Sequence, residues 1–476
     1  MHRHSKCGIA PHRRRALVAH PFTPARAHSL ACFAHLSPHL EHTMRNCLTT
    51  FALLLLTLAL SASETPSVVL VILDDVGTDM LASYGEGPDP AITPNIDELA
   101  ASGLVFEQAW SAPVCSPTRA CILTGCWPER TGITNALGSD GAGSLDENLP
   151  TLAETLTNAG VLATCHGKWH LSVDEDPNHP NLAGFTDYAG LLSGSPRDYY
   201  TWRKTTNGSN ARNTTYNTID TTDDVIASLA ATTGQTRLAW VSYCAPHSPW
   251  HVPPAELHSR ELVDDEAVID ANPGPYYRAA LEAADAELGR ILEAIDLTTN
   301  TVIILGDNGT PSAIADGNYP SGRSKGTLYQ GGVRVPLLMI GRGVTPGRHS
   351  DPVHVADLFP TILALLAPEA TVPEIDGIDL APALSGGTLP ERILITEVRG
   401  SDGSTSYGTA LRDERYKLIN FDDGTQELYD LSVDPYEEND LLIDGRRNLL
   451  QPQRRALLDM EAALEAYQAE LVDAAG

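Results

Sequence analysis

Four apolar runs punctuate the middle of the chain: residues 67–73 (SVVLVIL), 161–165, 237–243 (RLAWVSY) and 301–305 (TVIIL). Unbroken, β-branched runs of this length are expected of strands buried on both faces, rather than of the alternating strands of a half-solvated sheet. Helical patterns fall between them. Residues 93–99 carry Pro94 at a first helical position with acids in the first turn. Residues 279–295 place Leu281, Leu288, Ile291, Leu292 and Ile295 along one face, which is core packing. Strands alternating with helices predict an α/β fold with a largely parallel sheet. After residue 367 the texture changes to short strands at 392–397, 409–412 and 416–421, then a helix over about 449–472. The chain therefore divides into a catalytic-sized domain, 64–366, and a smaller C-terminal α+β subdomain, 367–476.

The N-terminal text is different. Residues 51–60 (FALLLLTLAL) follow Met44 and Arg45 and precede Ser61, Ala62 and Ser63. A short basic region, an apolar core and small residues make 44–63 a signal peptide. The run is shorter than the roughly 20 residues a membrane span needs, and no other stretch is long and apolar enough. Residues 1–43 hold eight of the sixteen histidines and no apolar periodicity. They are expected to be a dispensable basic extension or a misassigned start. The protein is thus expected to be exported, to a periplasm or outside the cell.

Charge narrows the partners. Seven of the 32 Lys/Arg but only one of the 61 Asp/Glu lie in the first 63 residues, so the rest of the chain is near −35. That balance opposes binding to nucleic acid or to anionic membranes. It also means that any anion site must be a local concentration of positive charge. Beyond the leader the cysteines are Cys115, Cys121, Cys126, Cys165 and Cys244, and an oxidising compartment would allow disulfides among them. Asn207 and Asn213 head glycosylation patterns that otherwise read as polar loop.

Chemistry clusters where apolar runs stop. The first ends in Asp74 and Asp75, the fourth in Asp307 and Asn308 after Gly306. Open α/β sheets bind ligands at such strand ends. Asp-Asp alone reads first as a solvated turn, but three carboxylates with one amide carbonyl from two strand ends form a hard oxygen set that suits Ca2+ or Mg2+. The run at 237–243 leads into Ala245, Pro246 and His247, and that at 161–165 into Gly167, Lys168, Trp169 and His170. Trp169 is expected to pack inward, and His251 to be an exposed loop imidazole. In the stretch 113–132 (PVCSPTRACILTGCWPERTG), Cys115 is open to three readings: an inert buried thiol, a zinc ligand with Cys121 and Cys126 whose spacing is not that of a zinc site, or a reactive residue. A helix is expected to begin within 118–124 and to direct its N–H groups at an anion.

This stretch resembles the signature of the formylglycine-dependent sulfatases: Cys115, Ser116, Pro117, Thr118 and Arg119, then Ile122, Leu123, Thr124 and Gly125. The resemblance covers nearly all of residues 66–442 and implies an alkaline-phosphatase-like fold with helices on both faces of the sheet. It further implies that Cys115 is oxidised to an aldehyde by a formylglycine-generating or anaerobic sulfatase-maturating enzyme, and is hydrated to a geminal diol. One hydroxyl attacks sulfur and the other helps to expel sulfate. By the same resemblance Asp74, Asp75, Asp307, Asn308 and modified Cys115 bind one divalent cation, usually calcium. Arg119 contacts the diol, Lys168 holds a sulfate oxygen, His170 serves the diol as base, His247 protonates the leaving oxygen, and Lys325, in KGTLYQGGVRVP, contacts the sulfate ester. Gln330 stands where the family more often has glutamate, Ala163, His166 and Ser172 depart from its second signature, residues 354–366 resemble the helix that closes its main domain, and Arg334 and Asp357 read as structural.

The expected function is hydrolysis of a sulfate ester, on a carbohydrate or another sulfated small molecule. Two alternatives stay open: a phosphonate monoester or phosphodiester hydrolase of the same superfamily, and a noncatalytic Ca2+-stabilised carbohydrate-binding protein. Residues 181–200 read as loop with helical fragments, where Ser193 or Ser195 is placed to reach substrate.

Overall fold

The computed structural model describes residues 65–475 apart from 139–142, 174–175 and 401–406; the expected extension and signal peptide lie outside the described residues. In chain order the strands of the first part are β1 (Ser67–Leu73), β2 (Leu104–Phe106), β3 (Ala109–Trp110), β4 (Leu162–Lys168), β5 (Asp187–Leu191), β6 (Trp202–Thr206) and β7 (Ser209–Asn213). There follow β8 (Arg237–Ser242), β9 (Asn300–Gly306), β10 (Leu337–Gly341), β11 (Gly347–His349) and β12 (Val353–His354). Ten of them form one sheet in the order β11-β2-β10-β9-β1-β8-β4-β5-β6-β7. Its centre, β9-β1-β8-β4-β5, is parallel throughout. Strands β10, β6 and β7 enter antiparallel.

The apolar runs are unbroken because both faces of the sheet are covered. Val68, Leu70 and Ile72 of β1 pack toward α2 (Cys115–Thr124), α3 (Leu152–Asn158) and α6 (Leu358–Leu366). Val69, Val71 and Leu73 face α1 (Pro94–Ser102), α4 (Asn217–Ala231) and α5 (Gly274–Glu293). The first helix is capped from a distance. Thr93 makes no side-chain cap; instead the Asn95 and Ile96 N–H groups donate to Asp285 of α5 at 3.1 and 2.8 Å.

The second part is an antiparallel sheet of β13 (Leu394–Val398), β14 (Gly408–Arg412), β15 (Tyr416–Phe421) and β16 (Gln426–Asp430). The C-terminal helix α7 (Gln451–Ala475) covers one face through Leu457, Met460 and Leu464. The other face packs on Trp110, Leu328 and Val333, so this sheet braces the segment that carries Lys325.

Several expectations are corrected. Cys115, Cys121, Cys126, Cys165 and Cys244 are all buried free thiols, with no disulfide among the described residues. The stretch 181–200 contains β5, a short strand whose Gly190 and polar start hide its period. Residues 354–366 begin as the end of β12 and a 3-10 turn before α6, because His354 and Asp357 cap that turn. Asp357 is structural, accepting the N–H groups of His354 and Ile378 at 2.8 and 2.9 Å.

Candidate active site

Parallel pairing decides which residues meet. Leu73 of β1 is level with Gly306 of β9, so Asp74 and Asp307 emerge side by side at the C-terminal edge of the sheet. On the other side of β1 lies β8, which leads to His247, and beyond it β4, which ends at Lys168. Four neighbouring strand ends thus supply the site. Above them α2 begins at Cys115 itself, three residues earlier than expected, because Pro117 is accepted within a first turn. The helix stops at Gly125, whose φ of 73° closes it with an N–H donated to the Cys121 carbonyl at 2.8 Å.

The structure brings Asp74, Asp75, Cys115, His247 and Asp307 into one buried cluster. Ligand atoms of Asp74, Cys115 and Asp307 lie within 4.8 Å of one another, as do those of Asp74, Asp75 and His247. Three cations pair with three acids. Lys168 Nζ lies 2.6 Å from Asp74, Arg119 Nη2 lies 2.7 Å from Asp307, and Lys325 Nζ contacts Asp75. Asn308 donates from Nδ2 to Asp75 at 2.9 Å, and the Asp75 N–H donates to Asp307 at the same distance.

Two oxygens are left over. Asp74 Oδ1 and Asn308 Oδ1 are buried without any hydrogen-bond partner, which is costly unless something else satisfies them. Both are hard acceptors in a cluster of three carboxylates, the donor set that suits Ca2+ or Mg2+. The residues present therefore fit a divalent cation. Burial pushes the Asp74 carboxyl up to about 7, with Lys168 opposing. We take the pair as ionised, since the ammonium sits at hydrogen-bond distance and Asp74 raises Lys168 in turn against burial. Against burial, His247 and Lys325 hold Asp75 well below the carboxylate range, and Arg119 and Lys168 lower Asp307.

His170 faces position 115, with Nδ1 3.2 Å from the Cys115 sulfur. Burial, then Lys168 and Arg119, push the imidazole down to about 3, so it is neutral. Its Nε2 lies 3.3 Å from the Leu137 carbonyl, which can only accept, so Nε2 carries the proton and Nδ1 is the acceptor. His247 is set the other way round. Its Nδ1 donates to the Ser248 carbonyl at 2.7 Å and its Nε2 looks into the site, 3.7 Å from Asp75. Arg119 makes no hydrogen bond to Cys115 among the described residues. It is anchored instead by Asp307, the Lys168 carbonyl at 3.2 Å and the Ser242 hydroxyl, leaving Nε unpartnered.

Several positioning residues were not singled out from sequence. Tyr199 donates its hydroxyl to the Cys244 and His247 carbonyls at 2.8 and 2.7 Å. Tyr277 donates to the Asp75 carbonyl at 2.7 Å, and Asp75 itself sits at φ 69°, a strained conformation for a non-glycine residue. Thr310 accepts the Gly77 N–H and donates to Asp79 at 2.6 Å, tying the loop after β1 to that after β9. His251 is not an exposed imidazole: it stacks on Tyr199 with ring centroids 4.1 Å apart and bonds Tyr216 at 2.9 Å. Ser193 Oγ donates to the Ser195 carbonyl. Gln330 lies outside the site, accepting from Trp110 at 2.7 Å, and Arg334 is held by Glu86.

A parallel sheet thus brings paired acids, a buried cation ring and a cysteine at a helix start to one place. Comparison with known proteins makes this specific: the Sulfatase family profile matches residues 66–368. Human N-acetylgalactosamine-6-sulfatase is 32% identical, covering 70% of this chain and 68% of its own. Human arylsulfatase A is 28% identical over 82% of this chain and 86% of its own. Among solved structures, Ps i-CgsB in complex with k-i-k-neocarrahexaose superposes with a TM-score of 0.71 at 24% identity, covering 84% of this chain and 92% of that one. A structure holding its substrate D-glucosamine-2-N,6-O-disulfate gives 0.69 at 21%, covering 85% and 98%. The chain belongs to the sulfatase family and is a sulfuric ester hydrolase. No helix among the described residues is long and apolar enough to cross a membrane.

Proposed function

We propose that this sulfatase hydrolyses a sulfate ester carried by a carbohydrate, with formylglycine at position 115 and one divalent cation, Ca2+ by its donor set, held by Asp74, Asp75, Asp307, Asn308 and residue 115. The observation that carries this is the cluster itself. Two strand ends 232 residues apart in sequence deliver acids to a cysteine at a helix start, and two of their oxygens lack partners. When present, the hydrated aldehyde supplies a hydroxyl nucleophile toward sulfur and the cation supplies positive charge beside the sulfate oxygens.

The chain's own residues do the rest. Neutral His170, its Nε2–H held by Leu137, keeps Nδ1 free to accept a proton from a hydroxyl at position 115. Lys168, Lys325 and Arg119 balance three carboxylates one for one, so a bound cation leaves positive charge for a sulfate. They neutralise the charge that grows on its oxygens in a dry site. His247 directs Nε2 into the pocket beside Asp75, and in its imidazolium form, with Nδ1–H kept on the Ser248 carbonyl, it donates the Nε2 proton to the departing oxygen. The sulfated saccharides bound to two structural neighbours support the carbohydrate reading. We also propose a catalytic domain over 64–366, a C-terminal subdomain over 367–476, and export of the chain.

Peptide mass spectrometry of segment 113–132 from the native host, with assay of Cys115→Ala, tests this reading. Replacement of the thiol by an aldehyde, and loss of aryl sulfate turnover with the fold intact, are expected; an active Cys115→Ala enzyme would sink it. A kcat/KM for aryl phosphodiesters above that for aryl sulfates would favour the phosphodiesterase reading.

A further inference from the structure

Beside the sulfate pocket lies a cavity of about 630 Å3, lined in part by Ser193, Ser195, Arg197, Arg203 and Arg212. Its size is within the roughly 300–1,000 Å3 of small-molecule sites. Three arginines and no acidic residue line it, in a chain whose net charge is −29. Arg203 and Arg212 stand directly opposite each other on the β6–β7 hairpin. Arg197 and Arg212 form no ion pair with a described residue, and both are exposed.

The cavity shares a wall with the active site. Leu191, at the end of β5 and on the cavity lining, is level with Lys168 at the end of β4. Gly194, between the two lining serines, lies against the catalytic imidazole: a Cβ there would come within 2.7 Å of the His170 ring. An oligosaccharide whose scissile sulfate sits at position 115 therefore has a cationic cavity next to it.

We propose that Arg197 and Arg212, with Arg203 beside them, form a second anion subsite, which binds a further sulfate or carboxylate on the same saccharide and makes the enzyme select multiply charged substrates. The proposal rests on the sulfatase reading above. Arginine suits it because its fork bonds a sulfate or carboxylate oxygen pair at once.

The test titrates sucrose octasulfate, and separately trigalacturonate, into the full chain by calorimetry, with Cys115 left as a thiol. Binding by the wild type to at least one probe is expected, weakened about tenfold or more in Arg197→Ala/Arg212→Ala. The Arg197→Lys/Arg212→Lys chain should fall between them, and circular dichroism should show all three folded. Loss confined to the first probe assigns a sulfate, and loss confined to the second a carboxylate. Equal affinity of wild type and alanine variant for both probes, or no binding by the wild type, overturns the subsite. Because no turnover is needed, that failure is separable from failure of the sulfatase reading, which shows as an inactive converted enzyme.

Discussion

Lys168 Nζ stands 2.6 Å from Asp74 Oδ2 with both side chains fully buried, and the other oxygen of that carboxylate has no partner at all. The lysine holds one side of Asp74 and leaves the other open. Breaking a buried pair from one end strands a charge and costs about 3–5 kcal/mol. Lys168→Ala should therefore lower metal-free stability by that order, besides removing the proposed sulfate contact. Added Ca2+ should raise Tm more in the variant than in wild type, since the stranded carboxylate gains a counter-charge. Calorimetric melts with EDTA and with Ca2+ measure this; equal Ca2+ shifts in both proteins would contradict the metal assignment to Asp74.

His166 on β4 is buried with both ring nitrogens unpartnered, and burial depresses its pKa to about 4. The sign follows from proton counting. Above the unfolded value of about 6.5, neither state is protonated and the group is neutral to stability. As pH falls from there toward 4, the unfolded chain takes up a proton that the folded chain refuses, so stability falls. At pH 5 the loss is about 2 kcal/mol from this group. His166→Leu should flatten the acid limb of stability against pH between 6.5 and 4, relative to the slope in wild type. Urea unfolding across that range reads it directly.

How much of this was legible follows from burial. Strands β1 and β9 are covered on both faces, so their apolar runs are continuous and their ends, with Asp74 and Asp307, could be found. The β6–β7 hairpin was missed although Asn207-Gly208 announces it: both residues have positive φ, as a two-residue hairpin turn requires. β7 is exposed and polar and β6 buries only Trp202 and Thr205, so no apolar pattern marked them. Tyr199 and Tyr277 act on main-chain carbonyls far along the sequence, and no local pattern encodes such a contact. The Leu137 carbonyl that fixes the His170 tautomer is main chain and leaves no trace in residue type.

Lys417 of β15 and Glu437 are fully buried and 2.5 Å apart. Glu437 also accepts the Gln330 N–H at 2.5 Å, and its carbonyl accepts from Arg323. The C-terminal sheet and the loop after it thereby grip both sides of the turn that carries Lys325. Glu437→Ala should destabilise by about 3–5 kcal/mol, because it leaves a buried ammonium alone. It should also raise KM for aryl sulfate by releasing Lys325. Lys417→Met/Glu437→Gln keeps an acceptor for Gln330 and should recover most of both losses. Denaturant melts and steady-state kinetics on the two variants decide it, and a double variant as damaged as the single one would refute the pairing argument.

Gly167 precedes Lys168 at φ 94°, and a Cβ there would lie 2.0 Å from the Ser242 carbonyl oxygen of β8. That contact is backbone, so no side-chain rotation relieves it, and the left-handed φ adds strain of about 1–2 kcal/mol for any other residue. Gly167→Ala must push β4 away from β8. The displacement falls at the joint that sets Lys168 against Asp74 and the Lys168 carbonyl against Arg119. The variant should lose several kcal/mol of stability, about 3 or more by analogy with other backbone-incompatible substitutions. Any folded fraction should show kcat reduced more than KM is raised, because the cation ring is misplaced while the surroundings farther from position 115 persist. Gly160→Ala is the matched control: its φ is 81°, but its Cβ meets nothing within 4 Å. It carries the left-handed strain without the clash. If the two substitutions destabilise equally, strain alone explains Gly167; a gap of about 2 kcal/mol or more between them assigns the difference to the packing of β4 on β8.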